Sequence, residues 1–179
     1  MPTKHLAAPF EIKELGANGY VCGYASVFNA VDAQREAVLP GAFRRTLKEW
    51  KSAQRNPAML WMHNAAQPVG VWENLAEDSS GLAVEGRLAI RTQHGADAYE
   101  LLKMGAVTGL SIGYRTVQSK IDSKNRVRAL TDVDLFEVSL VTFPANDLAR
   151  IRAVKIADDE MGAIVARLQR VARLLREGE

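Results

Sequence analysis

The chain has 179 residues, the size of one domain that can bury a full core without staples. Hydrophobic residues at 47% and charged residues at 25% are ordinary globular composition, and a net charge of +2 is too small to argue for nucleic acid by itself. The one cysteine, Cys22, excludes an internal disulfide and a Cys-rich zinc site and favours a reducing compartment; the longest uncharged run, 56–72, is broken by Pro57 and Pro68 and cannot pass for a membrane span, and Met1–Phe10 lacks the apolar stretch of a signal peptide.

In chain order, Phe10–Leu15 and Tyr20–Phe28 read as a hairpin around Gly16-Ala17-Asn18-Gly19. Pro40–Lys51 reads as a helix opened by Pro40, with Phe43, Leu47 and Trp50 on one stripe. Ala58–Met62 is a short apolar strand, and Val69–Leu75 and Leu82–Ile90 alternate on either side of the turn Glu77-Asp78-Ser79-Ser80-Gly81. Gly95–Met104 reads as a helix stopped by Gly105. Two longer strands follow, Val107–Val117 and Val127–Thr142, joined by Asp122-Ser123-Lys124-Asn125. Asp158–Arg176 has the clearest helical period, with Met161, Ile164, Val165, Leu168, Val171, Ala172 and Leu175 on one face. Strands outnumber helices and short turns link them, which argues for an α+β chain built on an antiparallel or mixed β-core, a small β-barrel, with helices packed outside. The expected division is a domain over 1–157 and a C-terminal amphipathic helix over 158–179.

Gly109-Leu110-Ser111-Ile112-Gly113 matches the G-x-S-x-G pattern of a nucleophile elbow. The α/β-hydrolase reading of that pattern fails twice. Tyr114-Arg115-Thr116-Val117 favours a strand where a helix is needed, and none of His5, His63 and His94 follows Ser111. A serine nucleophile needs a base, and the base needs a group to orient it. His5 lies at the terminus, and His94 sits in a polar helix start. His63 ends an apolar strand, where it is a base or a satisfied core histidine with equal claim. Glu137 shares a strand face with Leu135, Ser139 and Val141, and is either an orienting carboxylate or part of a solvated face; Asp132 and Asp134 are rivals for the role.

Four blocks carry a resemblance. They are Gly23-Tyr24-Ala25-Ser26-Val27-Phe28 with Asp32 and Leu39-Pro40-Gly41-Ala42-Phe43; Leu60-Trp61-Met62-His63-Asn64 with Pro68-Val69-Gly70; Gly109-Leu110-Ser111-Ile112-Gly113-Tyr114; and Leu135 through Asn146. In this order, from about Gly23 to Arg152, they resemble the tailed-bacteriophage prohead proteases, serine peptidases distantly related to the herpesvirus assemblin proteases. The resemblance implies a small herpesvirus-protease-like β-barrel ringed by helices, with His63 as base, Ser111 as nucleophile and Glu137 as orienter where the herpesvirus relatives use a second histidine. It implies no metal or cofactor. It implies phage capsid and scaffolding proteins as substrates, self-cleavage, and action inside the assembling procapsid in the host bacterial cytoplasm.

The tail carries Arg167, Arg170, Arg173 and Arg176 beside its apolar stripe, yet its net charge is −1, which speaks against nucleic acid. The stripe must be covered by the barrel or by another subunit, so a homo-oligomer is expected and a membrane partner is not. Three rivals stand beside the peptidase reading. One is a non-catalytic assembly module of the same fold, and one is an esterase using the same dyad. The third is nucleic-acid binding through Arg44, Arg45, Lys48 and Lys51, which lie where an amphipathic helix carries charge anyway.

Overall fold

The computed structural model describes residues 19–122 and 124–153. Eight strands and two helices occur among them, in the order β1 (Tyr20–Val27), β2 (Glu36–Val38), α1 (Arg44–Ser52), β3 (Ala58–Trp61), β4 (Asn64–Glu77), β5 (Gly81–Leu88), α2 (Gln93–Lys103), β6 (Gly109–Asp122), β7 (Val127–Val141) and β8 (Ile151–Ala153). Phe10–Leu15, the domain end near Ala157 and the helix at Asp158–Arg176 lie outside the described residues.

All eight strands form one sheet, paired in the order β2-β7-β3-β4-β5-β1-β8, with β6 also on β7. The fifteen-residue β7 is the spine. It pairs antiparallel with β6 along one edge, and takes β2 and β3, both parallel, at different points of its length. The sheet is not closed into the barrel that was expected. The seam between β6 and β8 has one isolated bridge, Gly109 to Arg150, flanked by Leu110 N–H to Ala149 O (3.0 Å) and Ile151 N–H to Thr108 O (3.0 Å). A three-residue β8 is too short to run a ladder along the fourteen-residue β6.

The sheet curls around a core that includes Val21, Met59, Val69, Trp72, Leu82, Val84, Leu110, Leu130, Leu135, Val138 and Leu140. Each such side chain contributes about 1.5–3 kcal/mol by leaving water. The indole of Trp72 needs a partner when buried, and its Nε1–H donates to Val138 O (3.1 Å). Helix α1 begins four residues later than Pro40 predicts. Gly41 has φ +94°, a left-handed conformation that no helix continues through. Phe43 is the N-cap residue; its N–H is taken by Glu77 Oε1 (2.8 Å), and its ring is fully buried. Helix α2 starts where Thr92 accepts the Gly95 N–H (3.2 Å) and stops before Gly105, at φ +71°. Both helices pack on β4, α1 also touching β7 and α2 touching β5.

Candidate active site

His63 enters the site on a strained turn. Trp61 of β3 pairs with Asn64 of β4, leaving Met62 and His63 as a two-residue hairpin loop. Both have positive φ, +50° and +61°, as the central residues of a type I′ turn do. Such turns favour Asn-Gly; an L side chain in the left-handed region costs about 1–2 kcal/mol, and here two adjacent residues bear it. The strand expected to run to Met62 therefore stops at Trp61, and β4 begins at Asn64, five residues before the expected Val69. Ala65-Ala66-Gln67 bulge out of the ladder before Leu60 meets Pro68, which has no N–H to offer it.

Two residues of β7, Glu137 and Ser139, meet this turn from the sheet, and Ser111 of β6 stands beside them. Ser111 lies directly opposite Ser139, and Gly113 opposite Glu137. Opposed residues of an antiparallel pair project from the same face, so the hydroxyls of 111 and 139 and the carboxylate of 137 share one side. His63 Nδ1 is 2.6 Å from Glu137 Oε1. A carboxylate only accepts, so Nδ1–H is the donor, the tautomer in which a neutral imidazole carries its lone pair on Nε2. The other carboxylate oxygen, Oε2, accepts from the Ser139 hydroxyl at 2.6 Å, and Ser139 Oγ in turn accepts the His63 backbone N–H at 3.1 Å. Glu137 is buried while the His63 side chain is 45% exposed. The carboxylate thus sits beneath the ring, and the ring faces the open side.

That side is a cavity of about 720 Å³. His63 and Ser111 both line it, with Ala25 and Ser26 of β1, Tyr114 of β6 and the loop Phe143–Asn146. Further along the wall, the Tyr114 hydroxyl donates to Glu36, which also holds Arg128 (Nη1 to Oε1, 2.7 Å). Burial, then the bond to Glu36, pushes the Tyr114 phenol well above its usual range.

The two glycines of the 109–113 block have steric jobs. A Cβ on Gly113 would stand 2.2 Å from Glu137 Oε1, so the carboxylate occupies the space a side chain would take. A Cβ on Gly109 would stand 2.7 Å from Pro144 Cδ, which lets the 143–146 loop close over that end of the strand. Ser111 is the third residue of β6, with strand and no helix behind it, so the block is no nucleophile elbow.

Other residues considered from the sequence lie elsewhere. Asp132 and Asp134 bind Arg45, and Asp134 also binds Arg115. Arg45 first, then Arg115, holds the Asp134 carboxyl below its usual range. His94 is exposed on α2, in a separate hollow with Trp61 and Gln67; His5 is outside the described residues. Among the described residues no three His, Cys, Asp or Glu side chains cluster as metal ligands, and no helix is long and apolar enough to cross a membrane. Sequence reasoning gave Ser139 no role, although its place two residues beyond Glu137 on the same strand face was the signal available.

Comparison with known proteins adds a second line. The model of a family described as caudovirus prohead serine protease matches residues 8–163. The chain belongs to that family. It is 37% identical to the prohead protease of Enterobacteria phage HK97 over 145 residues, which is 80% of this chain and 63% of the relative. With the prohead protease of Escherichia phage T5 it shares 28% identity over 109 residues, 61% of this chain and 51% of that one. The chain thus spans between half and two thirds of these prohead proteases. The structure of the bacteriophage T4 capsid assembly protease superposes with a TM-score of 0.58 at 13% identity, covering 70% of this chain and 82% of that chain, a likeness of fold alone.

Proposed function

We propose that this prohead-protease family member is a serine endopeptidase in which Ser111 is the nucleophile, His63 the base and Glu137 the orienting carboxylate. The observation that carries the reading is the 2.6 Å contact of His63 Nδ1 with Glu137, set at the wall of the cavity that Ser111 also lines. Nε2 takes the Ser111 proton as Oγ bonds to the scissile carbonyl carbon. The imidazolium then protonates the leaving amine as the C–N bond breaks, and an acyl-serine remains. Water attacks the ester, gives its proton to Nε2, and the serine is reprotonated as the acid product leaves. Through this cycle Glu137 stays ionised and stabilises the imidazolium. The loop 143–146, held beside Gly109, is the candidate source of backbone N–H donors for the oxyanion.

The substrates proposed are phage capsid and scaffolding proteins, cut inside the procapsid in the host cytoplasm. Family membership supports this, as does a third relative, 33% identical over 111 residues, named as the capsid polyprotein of Pseudomonas phage PAJU2. Self-association through the tail belongs to the same proposal, and deleting 158–179 should reduce the number of chains per particle in solution; unchanged association counts against it.

The test is labelling with a fluorophosphonate followed by peptide mass spectrometry. The expected result is one adduct, on Ser111, abolished in Ser111→Ala. An adduct elsewhere, or a Ser111→Ala protein that still cuts a capsid-protein substrate, overturns the assignment.

A further inference from the structure

We propose that Ser139 is a positioning residue of this site, whose hydroxyl fixes the His63 backbone and the Glu137 carboxylate at once; the inference rests on the roles given above to His63 and Glu137.

A hydroxyl has one proton. Ser139 is fully buried, and its proton goes to Glu137 Oε2 at 2.6 Å. Its lone pair receives the His63 N–H at 3.1 Å. The hydrogen bonds therefore run in one direction, from the turn through Ser139 to the carboxylate. Glu137 then meets His63 again, at Nδ1. The result is a closed ring of backbone, hydroxyl, carboxylate and imidazole.

Two features make this ring necessary. The first is the turn. Met62 and His63 supply neither the Asn nor the Gly that a loop with two positive φ angles prefers. Such a conformation persists only where its surroundings over-determine it. Its anchors here are Met62 N–H to Leu140 O (3.1 Å), His63 N–H to Ser139, and the imidazole contact with Glu137. Ser139 makes one of them and holds the acceptor of another. The second is Gly113. With no Cβ there, the residue of β6 directly opposite Glu137 offers no side chain against which the carboxylate could rest. Rotation of Glu137 about its last bond is then limited by the bonds to its two oxygens, and Ser139 supplies the one that does not come from His63.

Ser139→Ala should lower kcat roughly 10- to 100-fold, the loss of a hydrogen bond to a charged group. KM should stay within about twofold, because Ser139 lies beneath the cavity wall. Ser139→Thr restores the hydroxyl and should restore most of the rate. In a Glu137→Ala background the bond to the carboxylate is already gone and only the bond to the His63 N–H remains, so adding Ser139→Ala should cost clearly less than it does alone. Proton NMR of the unliganded protein gives a readout that needs no peptidase activity. The downfield Nδ1–H resonance of His63 should be present in the wild type and in Ser139→Thr, and lost or broadened in Ser139→Ala, with thermal melts recorded to confirm folding. Retention of full kcat and of that resonance in Ser139→Ala, or an equal loss in the Glu137→Ala background, overturns the proposal. If the wild type fails to react with the serine-directed probe, the peptidase reading falls, and the resonance alone still decides whether Ser139 holds His63.

Discussion

Strand β7 carries carboxylates in two regions and treats them differently. Toward its middle, Asp132 and Asp134 meet the guanidiniums of Arg45 and Arg115, cations that keep their charge at any pH the protein meets. Three residues on, Glu137 meets an imidazole and a hydroxyl instead. An arginine neutralises a carboxylate permanently, and the pair is structural. An imidazole can take a proton and return it, so the same carboxylate becomes useful for chemistry. Burial does not separate the two regions, since the Glu137 side chain is 11% exposed and that of Asp134 17%, so the difference lies in the partner.

Substitutions can break or sharpen this contrast. The largest effect is expected from Ser111→Ala or His63→Ala, each lowering kcat/KM about 10⁴- to 10⁶-fold with little change in melting temperature. A peptide assay with an intact protein by circular dichroism checks it. Glu137→Gln keeps the shape but offers the wrong atoms to Nδ1, and should cost on the order of 10³–10⁴ in kcat. Next comes Gly113→Ala. The added methyl group meets the Glu137 carboxylate, so the rate should fall about 100-fold and stability by about 1–3 kcal/mol, read by denaturant titration. The smallest effect belongs to the other region. Asp134→Asn should leave kcat unchanged, lower stability slightly at neutral pH and flatten its fall in acid. The Asp134 carboxyl is held low in the folded protein, so its contribution is complete above the unfolded value of about 3.9 and is lost as pH falls through the lower folded value. Melting temperatures of the wild type should therefore drop more steeply below about pH 4 than those of Asp134→Asn. A loss of kcat in Asp134→Asn would erase the distinction between the two regions.

Much of the sheet was legible because apolar alternation reports which face is buried. It placed β1, β3, β5 and β7 within two residues, and found β6 but ended it five residues early, at Val117. The three-residue β2 and β8 were not legible, since they are too short to show a period and exist only because β7 and β1 offer edges. The start of α1 was misplaced because Pro40 suggested a helix that the left-handed Gly41 forbids. Closure into a barrel could not be read either, because it depends on whether β6 and β8 run long enough side by side. At the site, the blocks pointed to His63, Ser111 and Glu137, and alternation alone separates Asp134 from the face of Glu137. The jobs of Ser139 and Gly113 were hidden. One depends on a backbone N–H 76 positions away, the other on a carboxylate that fills the place of a missing Cβ.

The tight loop at Met62 and His63 has a consequence for how the protein ages under heat. Its two residues are held uphill by partners on a neighbouring strand rather than by their own preferences. Warming should release that loop several degrees before the sheet melts, because its shape rests on three hydrogen bonds to β7. Activity would then fade on heating while the circular dichroism spectrum stayed constant, and cooling would bring it back.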